Sequence, residues 1–407
     1  MMSKLNMACL VSSIALLAAQ PAYAEVITVE AGEGEQERLQ EALILAEPGD
    51  EVVLGEGVFT LTDGLSLDVD GVTVRGAGMD KTILDFSEQQ DAGEGLLVTS
   101  DNVTLRDFGV ENTRGDGIKS KGADDIVYYN LRVEWTGGPL ETNGAYAVYP
   151  VESSNVLIDS VVVRGASDAG IYVGQSKNII VRNSVAEYNV AGIEIENSRE
   201  ARVTGNYVSH NTGGILVFDL PNLPVMGGGD VLVDHNIVIN NDVPNFAPAG
   251  NIVAGVPMGS GIMVMANENV SLEHNVVDGN ATAAVIVVAY TQSYEDDRYN
   301  PFPRNVFVSN SNQFGHNGYA PDLPGGGMLA VAVGGAIPTI MWDGLGENAV
   351  VTNGGVAALS LGYTKQGQGP ESAAPDIVTD TLPVAAAATG ATIPMQHSAE
   401  MEARARP

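Results

Sequence analysis

A small residue followed by an apolar one returns down this chain at a nearly fixed interval: Gly95-Leu96, Gly117-Ile118, Ala147-Val148, Gly170-Ile171, Gly192-Ile193, Gly214-Ile215, Gly261-Ile262 and Ala284-Val285. The steps are 22, 30, 23, 22, 22, 47 and 23 residues. Short β-branched runs and Asn-rich corners fill each interval. That pattern predicts an all-β solenoid, a right-handed parallel β-helix with three strands per coil and a repeat of about 22 residues.

Within each repeat a strand such as GIYV or GIEI is followed by a polar corner, a strand such as NIIV, a second corner and a third strand. The second corner reads Asp107, Asn130, Asp159, Asn183, Asn206, Asn236, Asn275 and Asn310, and the third strand ends at Asn189, Asn211, Asn241, Asn280 and Asn317. Asparagine tolerates a left-handed corner, and its amide can bond the like amide one coil away, so ladders are expected. His210, His235, His274 and His316 precede asparagines of this beat, which marks them as corner residues.

Both ends need closing, because an open coil exposes a strand edge and an apolar core. From Glu35 to Ala46, EQERLQEALILA has helical apolar spacing and is stopped by Pro48-Gly49-Asp50, so it reads as an N-terminal capping helix. The expected organisation is a signal peptide over residues 1–24, a cap with the first coils over 25–94 and the β-helix over 95–320. An irregular C-terminal cap then covers 321–364, and an Ala, Pro, Gly and Ser rich tail, disordered or loosely attached, covers 365–407. The signal-peptide assignment rests on Lys4, the apolar run from Met7 and the small residues up to Ala24. It predicts a periplasmic or extracellular address, with no later run long enough to span a membrane.

The only cysteine, Cys9, lies in that leader. Thiol catalysis, thiolate metal ligands and disulfides are therefore excluded from the mature chain. The formal net charge is −32, and loss of Lys4 makes it one unit more negative. Such a field excludes nucleic acid as a partner, and it repels acidic polysaccharides unless a local cation intervenes.

The stretch NGAYAVYPVESSNVLIDSVVVRGASDAGIYVGQSKNIIVRNSVAEYNVAGIEIENS, with VEWTGGP before it and GGILVFDLPNLP after it, resembles a bacterial family of exported parallel β-helix repeat proteins. The resemblance covers about residues 83 to 320. It implies a right-handed β-helix related in repeat type to pectate lyases and polyuronide epimerases, an exported location and a second exported protein as a partner.

The extra residues of the long repeats, 135–146, 218–230, 242–260 and 290–305, all border the first strands, which nominates that face as the site. With the beat isoleucine inward, the outward series is Leu97, Lys119, Tyr149, Tyr172, Glu194, Leu216, Met263, Ile286. Two residues on it is Thr99, Lys121, Val151, Gly174, Glu196, Phe218, Met265. Elimination or epimerisation at a uronic acid needs a base, a proton donor and a cation beside the developing enolate. Lys119, Tyr149, Tyr172 and Glu194 are the catalytic candidates, with Lys119 or Lys121 as base or stabiliser and a tyrosine as donor. Lys121, Trp135, Asn143, Tyr146 and Glu196 are the polysaccharide-binding candidates, Trp135 as a stacking platform.

Against the lysine base stands its ordinary pKa near 10.4. No Asp-Pro-His pattern of polyuronide epimerases is present, and the Gly-His-Gly and Arg-Ile-Lys signatures of polygalacturonases are absent too. Glu194 and Glu196, about 7 Å apart on one side of a strand, keep an inverting hydrolase open. No cofactor is demanded; Glu295, Asp296 and Asp297 leave calcium as an open metal reading. A glycan-binding protein, a lyase or epimerase, and a non-catalytic scaffold for another exported protein all remain.

Overall fold

The computed structural model describes residues 24–91, 93–378, 382–384, 393 and 396–406; the signal-peptide assignment thus lies, apart from Ala24, outside the described residues. The chain winds into a right-handed parallel β-helix of three sheets, one for each strand of the repeat. First strands run from Leu65–Leu67 to Ala358–Ser360, so the stack extends further both ways than residues 95–320. The register is that of the beat: Ile171, Ile193, Ile215, Ile262, Val285 and Ile340 lie one above another. They form one continuous apolar core with inward residues of the other two sheets, which is why the spacing tolerates so little drift.

The N-terminal helix Glu35–Leu45 closes the first coil with Leu39, Ala42 and Leu43 buried against it. Its polar side chains serve the strand edge beneath. Gln40 both donates to and accepts from the Ser66 backbone, and Gln36 accepts from the Thr62 and Asp63 N–H groups. At the other end a short helix, Gly326–Ala332, interrupts the stack before its last coil, and Asp376–Val378 pairs antiparallel with Ala358–Ser360.

Two buried asparagine ladders run along the stack. One links Asn189, Asn211, Asn241, Asn280 and Asn317 by side-chain bonds of 2.9–3.1 Å. The other links Asn206, Asn236, Asn275 and Asn312. Asn312 holds the rung that the spacing predicted for Asn310. Asp107, Asn130 and Asn183 occupy the preceding outer position, with φ of 50–61°. His235 and His274 share that left-handed corner and stack on each other at 4.9 Å.

The tail differs most from its expectation. Residues 396–406 are ordered, because Val127, Leu157 and Ile180 face outward on the second-strand sheet and need cover. Met401 of the C-terminal helix Ala399–Arg404 and Ala405, which caps it, supply it. Glu402 takes a two-pronged bond from Arg182, and Arg404 donates to the carbonyls of Asn102 and Asp125. Among the described residues no helix is long and apolar enough to cross a membrane.

Candidate functional site

The outward series of the first strands stands in the predicted register. Lys119 lies between Leu97 and Tyr149, Tyr172 beside Glu194, and Gly174 beside Glu196 and then Phe218. What covers that series changes along the stack and divides the candidates into two groups.

In the lower group Lys119 Nζ sits 2.7 Å from Glu94 Oε1 and 3.6 Å from Asp116 Oδ2. It also lies 5.0 Å from the centroid of the Tyr149 ring. Burial opposes the ammonium, but Glu94, Asp116 and the tyrosine outweigh it and raise the Lys119 pKa. A lysine held in this way stays charged, which removes it as a base and leaves it as an electrostatic stabiliser. Burial raises Asp116 to about 6 against the pull of Lys119, a value suited to a base at neutral pH. Burial also raises Tyr149, which keeps its proton. Lys121 is exposed beyond this group.

In the upper group the insertion 242–260 folds down over the sheet. Val253 and Val256 pack with Tyr172, Leu216 and Phe218, and Asn251 Nδ2 donates to Asp168 Oδ2 at 3.2 Å. Glu194 is left 1% exposed and Tyr172 5%. The expectation of an open strip through Tyr172, Glu194 and Glu196 therefore does not hold. Gly174 sets the local geometry. A Cβ there would fall 2.3 Å from the Tyr172 ring, so only glycine lets the ring lie across it and the hydroxyl donate to Glu196 Oε1 at 2.7 Å.

Burial first, and then neighbouring carboxylates, lift the acids of this upper group. Asp168 and Glu196 rise to about 7 and Glu194 goes well above its ordinary range. Glu194 and Glu196 are 1% and 8% exposed, so neither presents its carboxyl to a glycan or to the water an inverting hydrolase places between its two acids. Glu194 Oε2 is buried without a partner. Tyr146 spans the two groups, its ring 4.5 Å from those of Tyr149 and Tyr172 and its hydroxyl 3.5 Å from Asp168.

Trp135 and Asn143 are structural. The indole is 6% exposed, donates to the Thr113 carbonyl at 2.7 Å and lies beneath Gly144 and Gly165, so it offers no stacking surface. The Asn143 amide donates to the Gly138 and Gly165 carbonyls, pinning the same insertion. In the loop proposed for calcium, Arg298 engages Asp296 at 2.6 Å and pulls it down to about 2, while Glu295 and Asp297 point to solvent separately. Among the described residues no three His, Cys, Asp or Glu side chains are placed to hold one metal ion.

Glu94, Asp116, Asp168 and Asn251 escaped the reading of the sequence. Asp116 and Asp168 had a usable signal, each being an acid just ahead of a beat glycine, in Asp116-Gly117-Ile118 and Asp168-Ala169-Gly170-Ile171. Asn251 had none, since it arrives from a loop of irregular length.

Residues 136–297 match the family model described as the right-handed beta helix region. Among solved structures, the A-module of the mannuronan C-5 epimerase AlgE6 from Azotobacter vinelandii superposes with a TM-score of 0.52 at 15% identity, covering 80% of this chain and 92% of that one. The catalytic unit of a thermostable GH87 α-1,3-glucanase from Streptomyces thermodiastaticus gives 0.53 at 15% identity, covering 84% of this chain and 60% of that one. Identities this low speak to the fold alone. Comparison with curated protein sequences finds no match.

Proposed function

For a chain that is a right-handed parallel β-helix protein, we propose an exported protein that binds an extended glycan along the lower first-strand face and acts on it as a polysaccharide lyase or epimerase. One observation carries the reading: Asp116, Lys119 and Tyr149 converge from two adjacent coils at the edge of the sealed region, with Lys119 in contact with both neighbours. Similar β-helices include proteins named as an epimerase and a glucanase, which favours a glycan as ligand. In this reading Asp116 takes the proton beside the sugar carboxyl. Lys119 stabilises the enolate, and Tyr149 donates, to the departing glycosidic oxygen in elimination or to the opposite face of the ring in epimerisation. Base and stabiliser are thus separate groups, and Lys119 is not the base. Tyr146 and Tyr149 offer ring surface to the chain, and Lys121 continues the strip.

The test incubates purified protein with alginate, pectate and neutral glucans, with calcium or with a chelator. Unsaturated products reveal elimination, altered proton spectra reveal epimerisation, and new reducing ends alone reveal hydrolysis. Asp116→Asn is expected to lower turnover by about 10²–10⁴-fold while thermal unfolding stays in place. Silence on every substrate, joined with no retardation on glycan-containing gels, sinks the proposal.

A second reading, the scaffold for another exported protein, is favoured by one feature. On the third-strand sheet Val162, Val185, Tyr207, Ile237 and Val276 form an outward column over successive coils, with Tyr207 37% and Ile237 41% exposed. A partner retained by the native protein and lost by Tyr207→Glu and Ile237→Glu, with glycan retention unchanged, would support it.

A further inference from the structure

Beyond the sealed acids, the first-strand sheet and the C-terminal cap line a partly open cavity of about 280 Å³. Its walls are apolar and include Met263, Met265, Ile286, Met341, Val256 and Leu361. None of the residues proposed to act on a glycan lines it. A cavity of roughly 150 Å³ with walls of this kind stays dry and takes up benzene, so this one suits a flexible chain of roughly eight to ten carbons. Methionine is the side chain that adapts to such a ligand, being unbranched and polarizable.

The rim decides the head group. Lys365 lines the cavity, and it is the sole Lys or Arg between residues 305 and 403 of a chain with a net charge of −32. The segment that carries it is built in place. The Gln368 side chain accepts from the Thr364 and Lys365 N–H groups, the Tyr363 N–H donates to the Asp343 carbonyl, and the Gln366 amide donates to the Tyr290 carbonyl. Asp343 is the one acid of the lining, and the N–H groups of Ala289 and Leu345 hold its two oxygens.

We propose that this cavity binds a medium-length aliphatic carboxylate, with the alkyl chain among Met263, Met265, Ile286 and Met341 and the carboxylate at Lys365. Apolar burial supplies the affinity, and Lys365 selects the head.

Titration calorimetry with decanoate, octanoate and decanol tests this on the full chain. Decanoate is expected to bind one to one with a Kd of about 1–100 μM, and octanoate roughly 15-fold more weakly, the worth of two methylenes. Lys365→Glu is expected to weaken decanoate about tenfold and to leave decanol unchanged. Met263→Trp fills the cavity and is expected to abolish both, with native-like unfolding as its control. Methyl labelling of the methionines gives an independent readout: decanoate should shift Met263, Met265 and Met341 and leave Met401, on the helix packed against the second-strand sheet, unmoved. No binding of decanoate or decanol, or shifts that spare the three cavity methionines, overturns the site. Equal losses for decanoate and decanol in Lys365→Glu overturn the head-group assignment. Glycan turnover is independent of either outcome, since it depends on Asp116 and its neighbours.

Discussion

Two halves of one sheet share a backbone and a register yet have opposite characters. Around Tyr149 the carboxyls of Glu94 and Asp116 face a lysine, and the face is partly open. One and two coils on, Tyr172, Glu194 and Glu196 lie beneath the insertion 242–260. The groups acting on their acids are other carboxyls, tyrosine hydroxyls and a single amide. Insertions, more than the strands, decide which part of a solenoid face is a site and which is interior. An acid beside a cation at the margin is ionised and usable at neutral pH, whereas those buried without a cation hold their protons up to about neutrality or beyond.

The sharpest way to break this comparison is to remove bulk from each half. Phe218 is fully buried at the centre of the sealed region, so Phe218→Ala should cost about 3–5 kcal/mol. Tyr149→Ala, at the partly open margin, should cost about 1–2 kcal/mol and abolish glycan retention. Chemical denaturation of both variants measures the gap. Equal costs would mean that the lower face is as enclosed as the upper, and the proposed site would lose its opening.

Much of the fold was legible because its constraint is periodic. A coil that misses the beat displaces Ile171, Ile193 and Ile215 from the core, so spacing alone fixes register and predicts which residues face outward. The ladders were less legible, because Asn183 and Asn206 look alike in sequence although one sits at the outer left-handed corner and the other inside. Least legible was burial on the outer face. The sequence puts Glu194 outside the coil, and nothing periodic tells that Val253 and Val256 fold back over it. The docked tail escaped for the same reason: Met401 finds Val127, Leu157 and Ile180 only in three dimensions. Their outward apolar character was nonetheless visible in IVYY, NVLID and NIIV.

The halves should also separate by pH. Burial raises Asp168 and Glu196 to about 7 and Glu194 further. The folded state therefore binds protons more tightly than the unfolded chain. Their contribution to stability is fully present below the unfolded carboxyl range near pH 4, and it is lost as pH rises through about 7. Glu196→Gln keeps an acceptor for the Tyr172 hydroxyl and removes one ionisation. The variant should be more stable than the native protein by about 2–4 kcal/mol at pH 8 and nearly equal to it at pH 4. Denaturation across that range reads the difference directly; a constant offset at all pH values would show that these acids are not protonated in the folded state.

The smallest effect sharpens the comparison furthest, since it separates the two ways in which the cover could be fastened. Asn251 donates to Asp168 while Val253 and Val256 insert among Tyr172, Leu216 and Phe218. If apolar packing fastens the insertion, Asn251→Ala should cost only about 1 kcal/mol, the worth of one hydrogen bond. Loss of that donor also removes a contact that lowers the Asp168 pKa, so the pH-dependent loss of stability should move to higher pH. Amide exchange in residues 243–256 should then quicken modestly, with the Tyr172 strand unaffected. Wholesale exposure of that strand in Asn251→Ala would instead make the insertion a latch held by a single polar contact, and Tyr172, Glu194 and Glu196 would return as residues a glycan can reach.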